Sequence, residues 1–183
     1  RYISTATFSY DWKSNYRTSH VLTPINLNSV KISNINPLFQ TYLDAETSQR
    51  KKDQYTSHLI LGSRYSFTYN SQTINKSGSF IYLRTALESS GNLLSLFNKT
   101  KLVTESEGHH ELFGIRYAQY VRGSVDIRQH IDIGDNSWLV FRQFVGLGLP
   151  YGNSRDLPFE RSFYGGGSNG LRGWIYRSVG PGG

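Results

Sequence analysis

The sequence predicts an all-β fold, an antiparallel transmembrane β-barrel present in part. Three observations carry that prediction. Apolar and polar residues alternate with period two over long runs. Those runs extend over about 10 to 20 residues, past the roughly 5 to 6 of soluble strands and long enough for a tilted membrane strand. The connections between them alternate short and long, as the periplasmic turns and outer loops of outer-membrane barrels do.

The elements follow in order. Tyr2 to Trp12 sets Tyr2, Phe8, Tyr10 and Trp12 against Thr5, Thr7, Ser9 and Asp11. A polar turn ending at Pro24 precedes a weaker strand, Ile25 to Ile32, whose phase slips near Asn28 and Ser29 as a bulge would make it. Asn36 to Ser57 is a polar connection with Arg50, Lys51 and Lys52 in it, and its middle, Phe39 to Glu46, fits a short helix. His58 to Asn70 alternates cleanly, and Ser79 to Glu88 sets Ile81, Leu83 and Leu87 against Tyr82, Arg84 and Glu88. After the long connection from Ser89 to Glu111 comes the clearest strand, Phe113 to Ile133. A tight turn at Gly134 to Ser137 leads into Trp138 to Leu149, and a glycine-rich segment occupies 150–183.

Six strands are too few to close, since bacterial barrels begin at about eight, and an open sheet leaves two unpaired edges. The missing strands are therefore expected elsewhere, in a longer chain or a partner. The lack of any Met, even at the start, agrees with an internal piece.

Composition excludes several classes. Only 37% of the 183 residues are hydrophobic, yet 14% are aromatic, a balance suited to strands in which every second residue meets lipid. A secreted all-β domain has a similar balance, so composition alone leaves both open. No apolar run reaches the length of a transmembrane helix. The absence of Cys excludes a disulfide framework and thiolate metal sites. The net charge of +7 is spread along alternating strands rather than clustered, which does not favour nucleic acid. His109 and His110, flanked by Glu105, Glu107 and Glu111, are neighbours pointing in different directions in an extended chain; they suit a solvated loop better than a metal site. No serine-elbow or zinc-protease motif is present, so neither enzyme chemistry nor a cofactor is expected.

The segment LPFERSFYGGGSNGLRGW, Leu157 to Trp174, stands apart. Gly165, Gly167 and Gly170 satisfy the spacing of a dinucleotide loop, but no buried parallel strand precedes them and no helix follows. A plain flexible loop is the simplest reading.

The same segment resembles the sixth extracellular loop of the outer-membrane assembly-factor superfamily, the bacterial surface antigen family that includes BamA, TamA and the two-partner-secretion transporters. The family pattern is met by Leu157, Pro158, Phe163, Gly166, Gly167, Ser168 and Asn169, then Leu171, Arg172, Gly173 and Trp174. Trp174 replaces the commoner Phe or Tyr. Arg84 to Leu94 and Leu139 to Tyr151 are also similar to the TamA-like barrel.

The resemblance implies a sixteen-stranded barrel behind periplasmic POTRA domains, in the outer membrane of a Gram-negative bacterium. Its partners would be outer-membrane lipids, unfolded outer-membrane protein clients, and periplasmic or lipoprotein accessory subunits. The loop would fold back into the lumen, with Arg172 as the docking cation, Trp174 packed beside it and Gly173 permitting close approach. Gly165, Gly166, Gly167 and Asn169 would form the hinge, and the strands that receive Arg172 would lie beyond Gly183. Arg64, Arg84, Glu88, Arg116, Arg122, Asp126, Arg128, Asp132 and Arg142 would line the lumen in cross-strand charge pairs. The expected function is insertion or translocation of outer-membrane proteins, without covalent chemistry. A passive channel, a barrel anchoring a passenger domain, and a soluble β-sandwich binding module are the alternatives.

Overall fold

Period-two patterning becomes one mainly antiparallel sheet in the computed structural model. The structure describes residues 2–32, 36–45, 47, 52, 56–73, 78–98, 103–106, 108–134, 137–167, 171 and 173–175. In chain order the elements are β1 (Tyr2–Asn15), β2 (Thr18–Lys31), α1 (Pro37–Ala45), β3 (His58–Asn70), β4 (Phe80–Ser90), α2 (Asn92–Ser95), β5 (Val103–Ser106), β6 (His109–Leu112), β7 (Ile115–Tyr117), β8 (Tyr120–Gly134) and β9 (Ser137–Pro150). A 3-10 turn at Phe159–Arg161 follows.

Six strands form the wall in the order β1, β2, β3, β4, β8, β9, every pair antiparallel. Each has 11 to 15 residues, enough to cross a bilayer at a tilt. The sheet is not closed among the described residues: β1 and β9 are the two edges of the six-stranded wall, and β5 is a further terminal strand beyond it. No described helix is long and apolar enough to cross a membrane.

One cross-strand row shows how the wall is faced. Tyr10, Leu22, Tyr65, Leu87, Gly123 and Leu147 are successive register partners from β1 to β9. The apolar members of this row are all exposed. A contiguous apolar face of this kind is unfavourable in water and favourable against hydrocarbon. Nearer the short turns, Trp12 stacks on His20 at 4.9 Å and His20 meets Phe67 edge-on at 5.4 Å, an aromatic cluster of the sort that sits at a membrane interface.

Two strand boundaries differ from the sequence reading. The second strand starts at Thr18, ahead of Pro24 rather than after it. Proline cannot donate to a ladder, so the register slips there, between Thr23 and Asn26, and not at Asn28. The freed Pro24 carbonyl accepts the Ser63 hydroxyl at 2.8 Å. The run from Phe113 to Ile133 is also not a single strand. Phe113 and Gly114 turn the chain at φ 54 and 71, and Ala118 and Gln119 interrupt the ladder between β7 and β8.

That interruption builds the end of the wall where the long connections lie. Beyond Ser90, where β4 stops, β7 takes its place and pairs in parallel with β3. The extended end of β3 is then covered on both faces. Leu59 packs with Leu94, Val103 and Tyr117 on one side, and its neighbour Ile60 packs with Ala118, Tyr120 and Leu157 on the other. The buried core therefore lies at this end, and the rest of the wall is one sheet thick.

Candidate functional site: the inner wall and the loop docked on it

The face opposite the apolar row carries the charges. Arg64, Glu88, Arg122 and Gly148 form one cross-strand row, and Arg84, Asp126 and Phe144 form another. Asp126 is clamped by two guanidinium groups, with Arg128 at 3.2 and 2.8 Å and Arg142 at 3.1 and 2.9 Å. Arg128 also lies over the Tyr82 ring, 5.1 Å from its centre. Planar forks on one carboxylate fix three side chains at once.

The strand β9 is unusual on this face. Above Phe144, its two inward positions are Gly146 and Gly148, while Val145, Leu147 and Leu149 point outward. The bare backbone leaves a furrow, and the segment after β9 lies in it. A methyl group built on Gly146 would stand 2.6 Å from the Phe163 ring, and one on Gly148 would strike Leu157. Phe163 sits between the Arg122 guanidinium, 4.2 Å from its ring centre, and Phe144, which meets it edge-on at 5.9 Å. A cation on the ring face and an aromatic edge both match the ring quadrupole.

Between these two apolar contacts the 3-10 turn presents two charged neighbours to the wall. Pro158 opens the turn and its carbonyl accepts the amide N–H groups of Arg161 and Ser162 at 2.8 and 3.1 Å. Arg161 then reaches Glu88, with Nε 3.3 Å from Oε1. Glu88 is buried; it also accepts the Tyr120 hydroxyl at 2.6 Å and faces Arg122 at 3.8 Å. Next door, Glu160 Oε2 lies 3.0 Å from His58 Nε2, while His58 Nδ1 donates to the Thr56 carbonyl at 3.0 Å. Since Nδ1 faces a carbonyl, the contact with Glu160 needs a proton on Nε2 or on the carboxyl group.

The start of the loop is tied down by Asn153. Its side-chain oxygen accepts the His110 amide at 2.7 Å, and its Nδ2 donates to the His110 and Tyr117 carbonyls at 2.8 Å each. Its own amide donates to Gln119 Oε1 at 3.0 Å, and its carbonyl accepts the Arg116 guanidinium at 3.0 and 3.2 Å. Replacing Asn153 with Ala strands several buried backbone groups. We expect a loss of about 2 to 4 kcal/mol, read as earlier exposure of the segment 151–163 in hydrogen exchange.

The sequence-predicted residues fall into three groups. Arg64, Arg84, Glu88, Arg122, Asp126, Arg128 and Arg142 share the inner face of β3, β4, β8 and β9. Arg116 and Asp132 differ from expectation. Arg116 is on β7, above the spanning strands, and holds Asn153. Asp132 closes the turn between β8 and β9, its side chain accepting the Gly134 amide at 3.0 Å. In the loop tip, Gly166 and Gly167 have φ of 87 and 84 and Gly173 has 88, whereas Gly165 is not in the left-handed region. The Gly167 amide donates to the Trp174 carbonyl at 3.0 Å, so the chain doubles back there. Leu171 and Trp174 are exposed. Arg172 and Asn169 lie outside the described residues.

Sequence reasoning missed Glu160, Arg161, His58, Tyr120 and Asn153. The available signal was the pair of glycines at alternate positions late in β9, Gly146 and Gly148, which marks a face prepared for close approach.

A wall of long antiparallel strands, apolar outside and charged inside, with a glycine-rich segment laid along its inner face, defines a piece of a transmembrane barrel with an inward-folded loop. Comparison with known families agrees: the chain matches the Omp85 superfamily domain over residues 1–183, and it belongs to that superfamily. No curated protein and no solved structure matches it. The superfamily consists of outer-membrane proteins of Gram-negative bacteria or organelles, generally transporters and assembly factors rather than enzymes.

Proposed function

We propose that this chain forms part of a BamA- or TamA-type barrel that inserts or translocates outer-membrane proteins in a Gram-negative bacterium. Its clients are unfolded outer-membrane polypeptides, it works with periplasmic or lipoprotein accessory subunits, and it performs no covalent chemistry. The observation that carries this reading is the docked loop. Residues 157–163 span the inner faces of β3, β4, β8 and β9 through His58, Glu88, Arg122, Gly146 and Gly148. A loop anchored across four strands braces the wall and occupies space that a simple pore would leave to water.

In an up-and-down barrel that starts at the periplasm, the sixth outer loop follows the eleventh strand. The strand β9 then takes the eleventh place, and β1 to β9 supply one wall away from the seam between first and last strands. Clients would pair at that seam by β-augmentation, and this wall would hold the loop that stiffens the barrel behind it. The tip residues Leu171, Arg172, Gly173 and Trp174 dock beyond the stem, with Gly166, Gly167 and Asn169 as the hinge.

Arg172→Ala in the intact barrel is expected to lower assembly of client proteins or the stability of the barrel. Growth and expression equal to wild type in cells depending on the variant would remove the tip-docking role. Steady ion conductance that does not depend on clients would favour a passive channel instead.

A further inference from the structure

Glycine is a poor strand residue unless something requires it, because it has no side chain to pack and a large backbone freedom to lose. Among the glycines of the wall, Gly146 and Gly148 are required by the loop on the inner face. Gly123 has no such reason. Its backbone is not left-handed, and a methyl built on it would meet nothing closer than Leu87 Cδ1 at 3.9 Å and the Ala86 carbonyl at 4.0 Å. Nothing among the described residues forbids a side chain at Gly123, yet the outward row breaks there between Leu87 and Leu147.

The break opens a groove of about 420 Å³ on the outer face of β4, β8 and β9. Its walls are mainly Leu87, Val121, Val125, Val145, Leu147 and Leu149; Tyr65 of β3, Thr85 and Ser124 also line it, and no charged side chain does among the described residues. Four of these, Leu87, Val145, Leu147 and Leu149, are more than half exposed. Val121 and Leu149 stand at the end of the wall where the long connections leave, so the groove lies toward the outer leaflet. A channel lined mainly by aliphatic side chains, with only a few hydroxyl groups beside them, suits hydrocarbon better than a headgroup or a polypeptide backbone, most of whose polar groups would be left unpaired there.

We propose that this groove seats one acyl chain of an outer-leaflet membrane lipid, with Gly123 as its floor. The proposal rests on the membrane reading above. A chain held there fixes the depth and rotation of a wall whose other face is stiffened by the docked loop.

The test uses the intact barrel in phosphatidylcholine vesicles doped with a phospholipid that carries a diazirine on one acyl chain. After irradiation, adducts are mapped by mass spectrometry. Adducts concentrated on Leu87, Val125, Val145 and Leu147 over the equally outward Tyr10 and Leu139 are the expected result, with that excess lost in Gly123→Leu. Gly123→Ala, whose methyl fits without a clash, gives a partial loss and guards against misfolding of the larger variant. Adducts spread evenly over the outer wall in every variant would overturn the lipid site and leave the membrane reading standing. A complete lack of adducts on the outer wall would overturn both.

Discussion

Replacing Glu88 with Ala releases the loop from the wall. Glu88 meets Arg161 from the loop together with Arg122 and Tyr120 from β8. Its side chain is only 6% exposed, and those of Arg161 and Arg122 are 14% and 23% exposed. Removing one partner of a buried pair leaves the other charge without compensation, at a cost of about 3 to 5 kcal/mol. Two readouts are expected to move together: the folded form of the barrel is lost at lower temperature, and trypsin reaches Arg155 and Arg161. The double variant Glu88→Ala, Arg161→Leu removes the stranded loop cation and recovers part of the barrel's stability, while the loop stays cleavable at Arg155. An unchanged melting temperature and unchanged cleavage in the single variant would show that the ion pair does not hold the loop.

The second large effect is a reversal of sign. In the wild-type background Gly146→Ala places a methyl group against the Phe163 ring. That ring is fixed between Arg122 and Phe144, so overpacking costs about 1 to 3 kcal/mol. When Phe163→Ala is already present, the clash is gone. The same Gly146→Ala change then gains about 0.5 to 1 kcal/mol from replacing a strand glycine. Thermal unfolding of the four proteins in this cycle gives the coupling directly. Equal effects of Gly146→Ala in both backgrounds would place Phe163 away from β9.

Both predictions concern contacts far apart in the chain, and the sequence shows them unequally. Alternation revealed the strands because lipid on one face and water on the other select residues by parity, a local rule. It also placed Arg64, Glu88, Arg122, Asp126, Arg128 and Arg142 on one side. It could not assign partners, since register depends on which strand lies beside which. Asp126 holds Arg128 of its own strand and Arg142 of the next, and no pattern in a single strand distinguishes that from a pairing with Arg84 opposite it.

Local exceptions were harder still. Pro24 looked like the end of a turn, and only the neighbouring Ser63 hydroxyl shows how a strand carries a proline through a bulge. Phe113 to Ile133 read as one strand because Ala118 and Gln119 do not break the pattern; the break exists because Asn153 and Ser154 from the loop take up the freed backbone groups.

By itself, then, the sequence determined an antiparallel membrane wall, its two faces, and a loop motif that points to the Omp85 superfamily. Each of these is written in parity or in a contiguous motif. Tertiary structure alone decided that the stem of the loop lies in the glycine furrow of β9, that Glu88 and Arg161 meet, and that Gly123 faces an unfilled groove. Those facts depend on which backbones approach one another, and a glycine looks the same in the sequence whether its missing side chain makes room for a phenyl ring or for nothing in the protein at all.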